Sequence, residues 1–229
     1  MRGTIDWSYD LLSEEEKTLF GRLSIFAGGR TLEAVEVVCD ARGDLPMDAL
    51  EGVSSLLEKS LLRRKEEGLE AEPRFVMLET VHEYAREKLE ESGEAEEIKR
   101  AHAEYFSALA EEADSELKGP DQLQWLQRLE AEHDNMRAAL GWALQPGETE
   151  VVLRLGDALW WLWSVRGHYS EGRRWLEEVA STLRRRASIE FSFVRAQVGV
   201  LLTPAPGTTQ CAAGSRADGT SRTDSFVSG

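Results

Sequence analysis

The chain has 229 residues, 41% of them apolar, and a net charge of −15. That is enough apolar material for one large or two small packed domains, and too acidic a balance for a general nucleic-acid surface, which needs clustered Lys and Arg. No apolar run reaches the roughly 18 residues of a membrane span. MRGTIDWSYD carries no apolar segment behind its Arg and does not read as a signal peptide. Cys39 and Cys211 are the only cysteines, so neither a disulfide framework nor a paired-thiol zinc motif is expected. A soluble, cytoplasmic protein is the expectation.

In chain order, IDWSYDLL (5–12) places Trp7, Leu11 and Leu12 as in a short amphipathic helix. Ser13 followed by Glu16 is a capping box, and the helix behind it lines up Leu19, Leu23 and Phe26. Gly28-Gly29 reads as its stop. Thr31 caps TLEAVEVVCD, with Leu32, Val35, Val38 and Cys39 inward, so Cys39 is expected to be a small buried hydrophobe rather than a reactive thiol. After the Gly43–Pro46 turn, MDALEGVSSLLEKS forms a fourth helix with Leu50, Val53, Leu56 and Leu57 on its apolar face. LLRRK and RFVML, separated by EEGLEAEP, read as a β-hairpin, with Pro73 fitting the start of the second strand. Several helices followed by a hairpin are a winged-helix pattern.

From Thr80 the sequence reads as helical. Val81, Tyr84, Ala85 and Leu89 share a face up to Gly93, followed by Ile98, Ala101, Tyr105, Leu109 and Ala113. Gly119-Pro120 is a stop and restart, and the next helical pattern holds Trp125, Leu129, Met136, Leu140 and Ala143, with a break expected near His133-Asp134-Asn135. Beyond Gln145-Pro146-Gly147, a helix bearing Leu155-Gly156, Trp160 and Trp163 meets, across Gly167-His168-Tyr169, a second with Trp175, Leu176 and Val179. Small and large residues alternate across a short turn as in tetratricopeptide-like helix pairs. After about residue 186 Lys vanishes and Ser, Thr and Gly dominate, the composition of a disordered tail.

Catalytic signatures are missing. There is no phosphate loop of the G-x-x-x-x-G-K-[ST] kind, no G-x-G-x-x-G turn and no H-E-x-x-H, and the four His lie on different segments without ligand spacing. No catalytic or metal-binding residue is assigned, and the chain is not expected to be an enzyme. Arg63-Arg64-Lys65 on the first wing strand would be the residues to touch DNA. The acidic connection EEGLEAEP and the acidic start MDALEG argue against it, and a partly solvated strand edge is the plainer reading. Trp160, Trp161 and Trp163 cannot share one helical face. At least one must point away from its helix pair, either under an adjoining repeat or as an anchor for a protein partner.

The run IDWSYDLLSEEEKTLFGRLSIFAGGRTLEAVEVVC, LLEKSLL, RFVMLETVHEYAREKLEESGEAE, HAEYFSALAEEA, WLQRLEAEHDNMRAALGWAL and GHYSEGRRWLEE resembles, over about 4–186, the STAND-class signal-transduction ATPases, the LuxR- or AfsR-like transcriptional regulators. The resemblance implies a nucleotide-binding module upstream, then a winged helix, then an array of tetratricopeptide repeats. This chain would hold a winged helix at 4–93, the first repeats at 94–186 and a tail at 187–229. ATP or ADP is implied only for the upstream module, and no cofactor for this chain. The implied role is a non-catalytic regulatory and scaffold segment of a transcriptional regulator. Its winged helix would relay nucleotide state and its repeats would bind a protein partner or signal. A DNA-binding winged helix fused to a protein-interaction module is the rival. In related ATPases the end of the second wing strand carries Met-His-Asp, whose His reaches the phosphates of ADP. Met77-Leu78-Glu79 stands in the matching place. Leu78 cannot donate a hydrogen bond to phosphate, so packing, with Glu79 capping the next helix, is expected over nucleotide contact. The resemblance also expects further repeat turns. The codons of Pro-Gly-Thr-Thr around 206–209, read one base earlier, can encode Gly-Asp-Tyr, so the tail is either a natural low-complexity end or an out-of-frame stretch entered between about 190 and 205.

Overall fold

The computed structural model describes residues 2–45, 47–65, 72–117, 119–145 and 148–185. Residues 66–71 of the expected wing connection EEGLEAEP (66–73) and the low-complexity tail lie outside them.

Ten helices occur among the described residues, and local chemistry explains where several begin. Helix α1 spans Arg2–Asp10. It turns Tyr9 inward, edge-on to Tyr84 at 5.4 Å, and leaves Trp7 exposed, as is Leu11 just beyond it. Helix α2 spans Glu14–Arg22 behind the expected capping box. The Ser13 hydroxyl accepts from the Glu16 amide, and the Glu16 carboxylate accepts from the Ser13 amide at 2.8 Å. Thr31 caps α3 (Leu32–Cys39) by accepting from the Ala34 amide. Asp48 caps α4 (Ala49–Glu58) by accepting from the amides of Leu50 and Glu51. Helix α4 therefore starts two residues after Met47, because an aspartate is the better cap.

The small sheet departs from expectation. Among the described residues it has three strands, not two: β1 (Gly29–Arg30), β2 (Arg63–Lys65) and β3 (Arg74–Val76), all antiparallel in the order β1-β3-β2. Gly28-Gly29 is thus more than a helix stop. Gly28 adopts a left-handed φ of 82°, and the turn it makes delivers Gly29 and Arg30 into register with Val76 and Phe75. Helices α2, α3 and α4, this sheet and α5 (Glu79–Ser92) enclose a core of Leu19, Phe20, Leu23, Val35, Val53, Leu56 and Ala85.

The remaining helices are α6 (Ala95–Glu116), α7 (Gln122–Ala131), α8 (His133–Ala143), α9 (Thr149–Arg166) and α10 (Tyr169–Arg185). The break expected near His133 is the α7–α8 junction. Gly93 and Gly167 end α5 and α9 in left-handed conformations with φ of 79°, which costs a glycine little. Helix α6 packs against α8 and α9 on one side and α3 on the other, so the core runs unbroken from winged helix to helical region. The chain is mainly helical: a winged helix followed by stacked helices.

Candidate functional site

In a helix-turn-helix reader the second helix enters the major groove, led by its N-terminal residues. Helix α4 occupies that place. Its solvent face carries Leu50, Glu51, Ser54 and Glu58, and its cap Asp48 is also exposed. Helix α3 adds exposed Glu33, Glu36 and Val37. Glu16 reaches from α2 to α4, binding Lys59 at 2.7 Å and Ser55. The exposed faces of α3 and α4 are therefore acidic. Arg63, Arg64 and Lys65 are all exposed, along strand β2, which among the described residues has β3 on one side and no strand on the other.

Met77-Leu78-Glu79 follows β3 directly. Met77 packs against the core, whereas Leu78 is 43% exposed. Leu78, not Glu79, is the N-cap residue of α5, and no side chain caps the helix. The expected capping by Glu79 is not made: an N-cap leucine has no acceptor, and Glu79 lies within the first turn. Its remaining contribution is a favourable charge at the positive end of the helix dipole.

The three tryptophans separate. Trp163 is fully buried and cannot act as an exposed anchor. Its ring lies where a Cβ on Gly172 would come within 2.8 Å, so that glycine allows α9 and α10 to approach closely. The indole N–H donates to His133 Nε2 at 3.1 Å, which fixes that imidazole with its proton on Nδ1. His133 and His168 stack at 5.7 Å, a pairing that sequence spacing did not suggest. Burial, more than any neighbour, lowers the pKa of His133. Trp160 and Trp161 are half-buried against the core. No group of three potential metal ligands occurs among the described residues, and no helix among them is long and apolar enough to cross a membrane.

A polar seam between the two halves was not anticipated. The Asn135 amide accepts from the Ala27 N–H and donates to the Gly29 carbonyl, each at 2.8 Å, and donates to Glu132 at 2.7 Å. Arg74 of β3 pairs with Glu132, and donates to the Gly29 carbonyl at 2.9 Å and the Ala131 carbonyl at 3.1 Å. Arg74, Glu132 and Asn135 are all buried. A second bridge lies at Arg22, the last residue of α2. Burial opposes the charge on Arg22, but Glu94 and Asp44 more than offset this and hold its pKa above the ordinary arginine value. Deeper still, Arg30 is fully buried, donates to the Leu23 carbonyl and lies over the Phe26 ring. Burial and the nearby Arg74 pull its pKa down to about 10, which still leaves it charged at neutral pH. Burial pushes the Cys39 thiol up to about 12, in keeping with an inert core cysteine.

Comparison with known proteins agrees with this geometry. Residues 12–90 match the winged helix-turn-helix domain family, which accounts for α2 through α5 and the sheet. The chain is 36% identical over 198 residues to proteins named "Putative HTH-type transcriptional regulator", Mb0914c of Mycobacterium bovis and Rv0890c of Mycobacterium tuberculosis. The match covers 86% of this chain but only 22% of those relatives. An uncharacterised M. tuberculosis protein, Rv0894, is 34% identical over 96 residues, covering 42% of this chain and 24% of that one. No solved structure matches the chain. This chain therefore contains a winged helix-turn-helix domain and is related to proteins named as transcriptional regulators, spanning about a fifth of their length.

Proposed function

We propose that the chain is a non-catalytic regulatory segment of a larger signalling ATPase-type transcriptional regulator. In this reading the winged helix docks on a nucleotide-binding module and follows its state, and the helices from α6 onward act as tetratricopeptide-like pairs that receive a protein or small-molecule signal. Domain rearrangement would shift a population between closed and open forms. Trp160 and Trp161 are the partner-facing candidates on α9, and Met77-Leu78-Glu79 marks a nucleotide-sensor place that lacks its hydrogen-bond donor.

The observation that carries the reading is the acidity of α4. A helix led by Asp48 and Glu51, with Leu50 54% exposed between them, repels phosphate and offers an apolar contact. Both properties suit a protein surface better than a DNA groove. The rival has its own support, in the family match over 12–90 and the exposed Arg63, Arg64 and Lys65 on β2. Titration against duplex DNA at low and moderate salt separates them. The relay reading expects no binding even at low salt. Tight binding that weakens steeply as salt rises, and is lost on replacing Arg63 and Arg64 by Ala, would establish the rival.

A further inference from the structure

Among the described residues strand β1 is an outer strand of the sheet: β3 flanks one side and no strand the other. Such a strand presents unpaired N–H and C=O groups that need partners. The helical region supplies them through side chains. Asn135 gives one acceptor to the Ala27 N–H and one donor to the Gly29 carbonyl, much as a neighbouring peptide group would. The Gly29 carbonyl takes a second donor from Arg74, so both of its lone pairs are filled. Arg74 belongs to β3 and reaches across β1 to Glu132 and the Ala131 carbonyl.

Every partner on the helical side comes from one place, the corner where α7 ends at Ala131 and α8 begins at His133. Glycine at position 29 leaves room for the Arg74 side chain beside β1, and Gly28 lies against Asp134 of the corner. A Cβ on Gly29 would lie 3.1 Å from Arg74 Nε, and one on Gly28 would lie 3.4 Å from Asp134. Strand β3 then leads, within one residue of Val76, into Met77-Leu78-Glu79.

We propose that this α7–α8 corner, latched to the sheet by Asn135, Glu132 and Arg74, is the mechanical joint through which the helical region acts on β3 and the Met77-Leu78-Glu79 turn. The joint names the route for the relay described above and rests on that reading for its purpose, but its existence is a property of this chain alone. A fully hydrogen-bonded, buried polar cluster has few alternative arrangements. It therefore transmits a displacement of the corner to β3 instead of absorbing it. Asn135 and Arg74 act here as positioning residues. Packing between α3 and α6 also joins the two halves, and the mutant cycle below separates its contribution from that of the latch.

The test is a mutant cycle read by hydrogen exchange on the full chain, with no nucleotide or partner present. Val152→Ala removes buried volume from α9, far in sequence from the sheet. In the otherwise native chain it is expected to speed exchange of peptides covering 73–79 by about tenfold, because opening of the helical region carries β3 with it. In an Asn135→Ala background the same change is expected to leave those peptides within about twofold while still speeding α8 and α9. If Asn135→Ala fails to fold, Arg74→Lys, which keeps the charge but loses the forked geometry, serves in its place. Equal transmission in both backgrounds, or none in the native chain, would overturn the joint. Since no DNA or nucleotide enters the experiment, failure of the relay reading in the DNA titration leaves this result intact.

Discussion

At the scale of single residues, His102 has the clearest consequence. It is buried between Phe26 and Phe106, with ring centroids at 5.3 and 4.6 Å. Burial drives its pKa down to about 4, with a hydrogen bond to Asn135 working weakly the other way. The unfolded imidazole takes up its proton near pH 6.5, and the folded one only near 4. Between those values the unfolded chain binds more protons, so stability is full above about 6.5 and is lost as pH falls towards 4. Part of the acid loss will come from Asp44 and Glu16, whose lowered pKa values act in the same direction. Melting temperature measured from pH 7 to 4 should therefore fall, and His102→Leu should flatten the curve between 6.5 and 4. An unchanged slope would mean that His102 is not buried neutral. The sequence placed His102 correctly on a helix but could not show its surroundings, because Phe26 and Asn135 lie far from it along the chain. The same limit hid Arg74: it read as the start of a wing strand, and its partners Glu132 and Ala131 lie more than fifty residues away.

Among the elements, those that local chemistry specifies were legible. Ser13, Thr31, Gly93 and Gly167 each marked a boundary because capping and left-handed stops act over three or four residues. Strand β1 was not legible: two residues beside a Gly-Gly pair carry no alternation, and only pairing with Val76 and Phe75 makes them a strand. Leu78 and Glu79 misled because sequence cannot tell which of two adjacent residues takes the extended cap conformation. Helix α2 allows a quantitative check. Ser13→Ala removes one cap and should cost about 1 kcal/mol. Glu16→Ala removes the reciprocal cap and also unties α2 from Ser55 of α4 and from Lys59 at its C-cap, leaving that cation without its carboxylate. Its cost should be larger, roughly 2 kcal/mol. Chemical denaturation of both variants settles the order, and equal losses would show that the α2–α4 bridge is merely decorative.

For the molecule as a whole, the continuous core and the two polar bridges predict that the winged helix and the helical region unfold together. Calorimetry should give a single transition, with tryptophan fluorescence, dominated by α7 to α10, and far-ultraviolet dichroism falling at one midpoint. Two well-separated midpoints would mean that the halves are independent domains and that the boundary expected at residue 93 is a true break. Composition and periodicity made the overall plan readable, helices around a wing followed by helix pairs, because both depend on regular spacing. How the two halves join depends on side chains meeting across the fold, which no periodicity encodes.

The amide of Asn135 closing the β1 edge has a consequence during synthesis. Ribosomes deliver residues 12–90, and with them a complete three-stranded sheet, before the α7–α8 corner exists. Until Asn135 emerges, a nascent chain has an open outer strand on the β1 side, while β2 already carries Arg63, Arg64 and Lys65 as guards against edge-to-edge association. The acidic surface of α3 and α4 adds repulsion between neighbouring nascent chains on a polysome. A translation product that stops short of Asn135 would keep the β1 edge exposed permanently, and such fragments should be the aggregation-prone species of this protein.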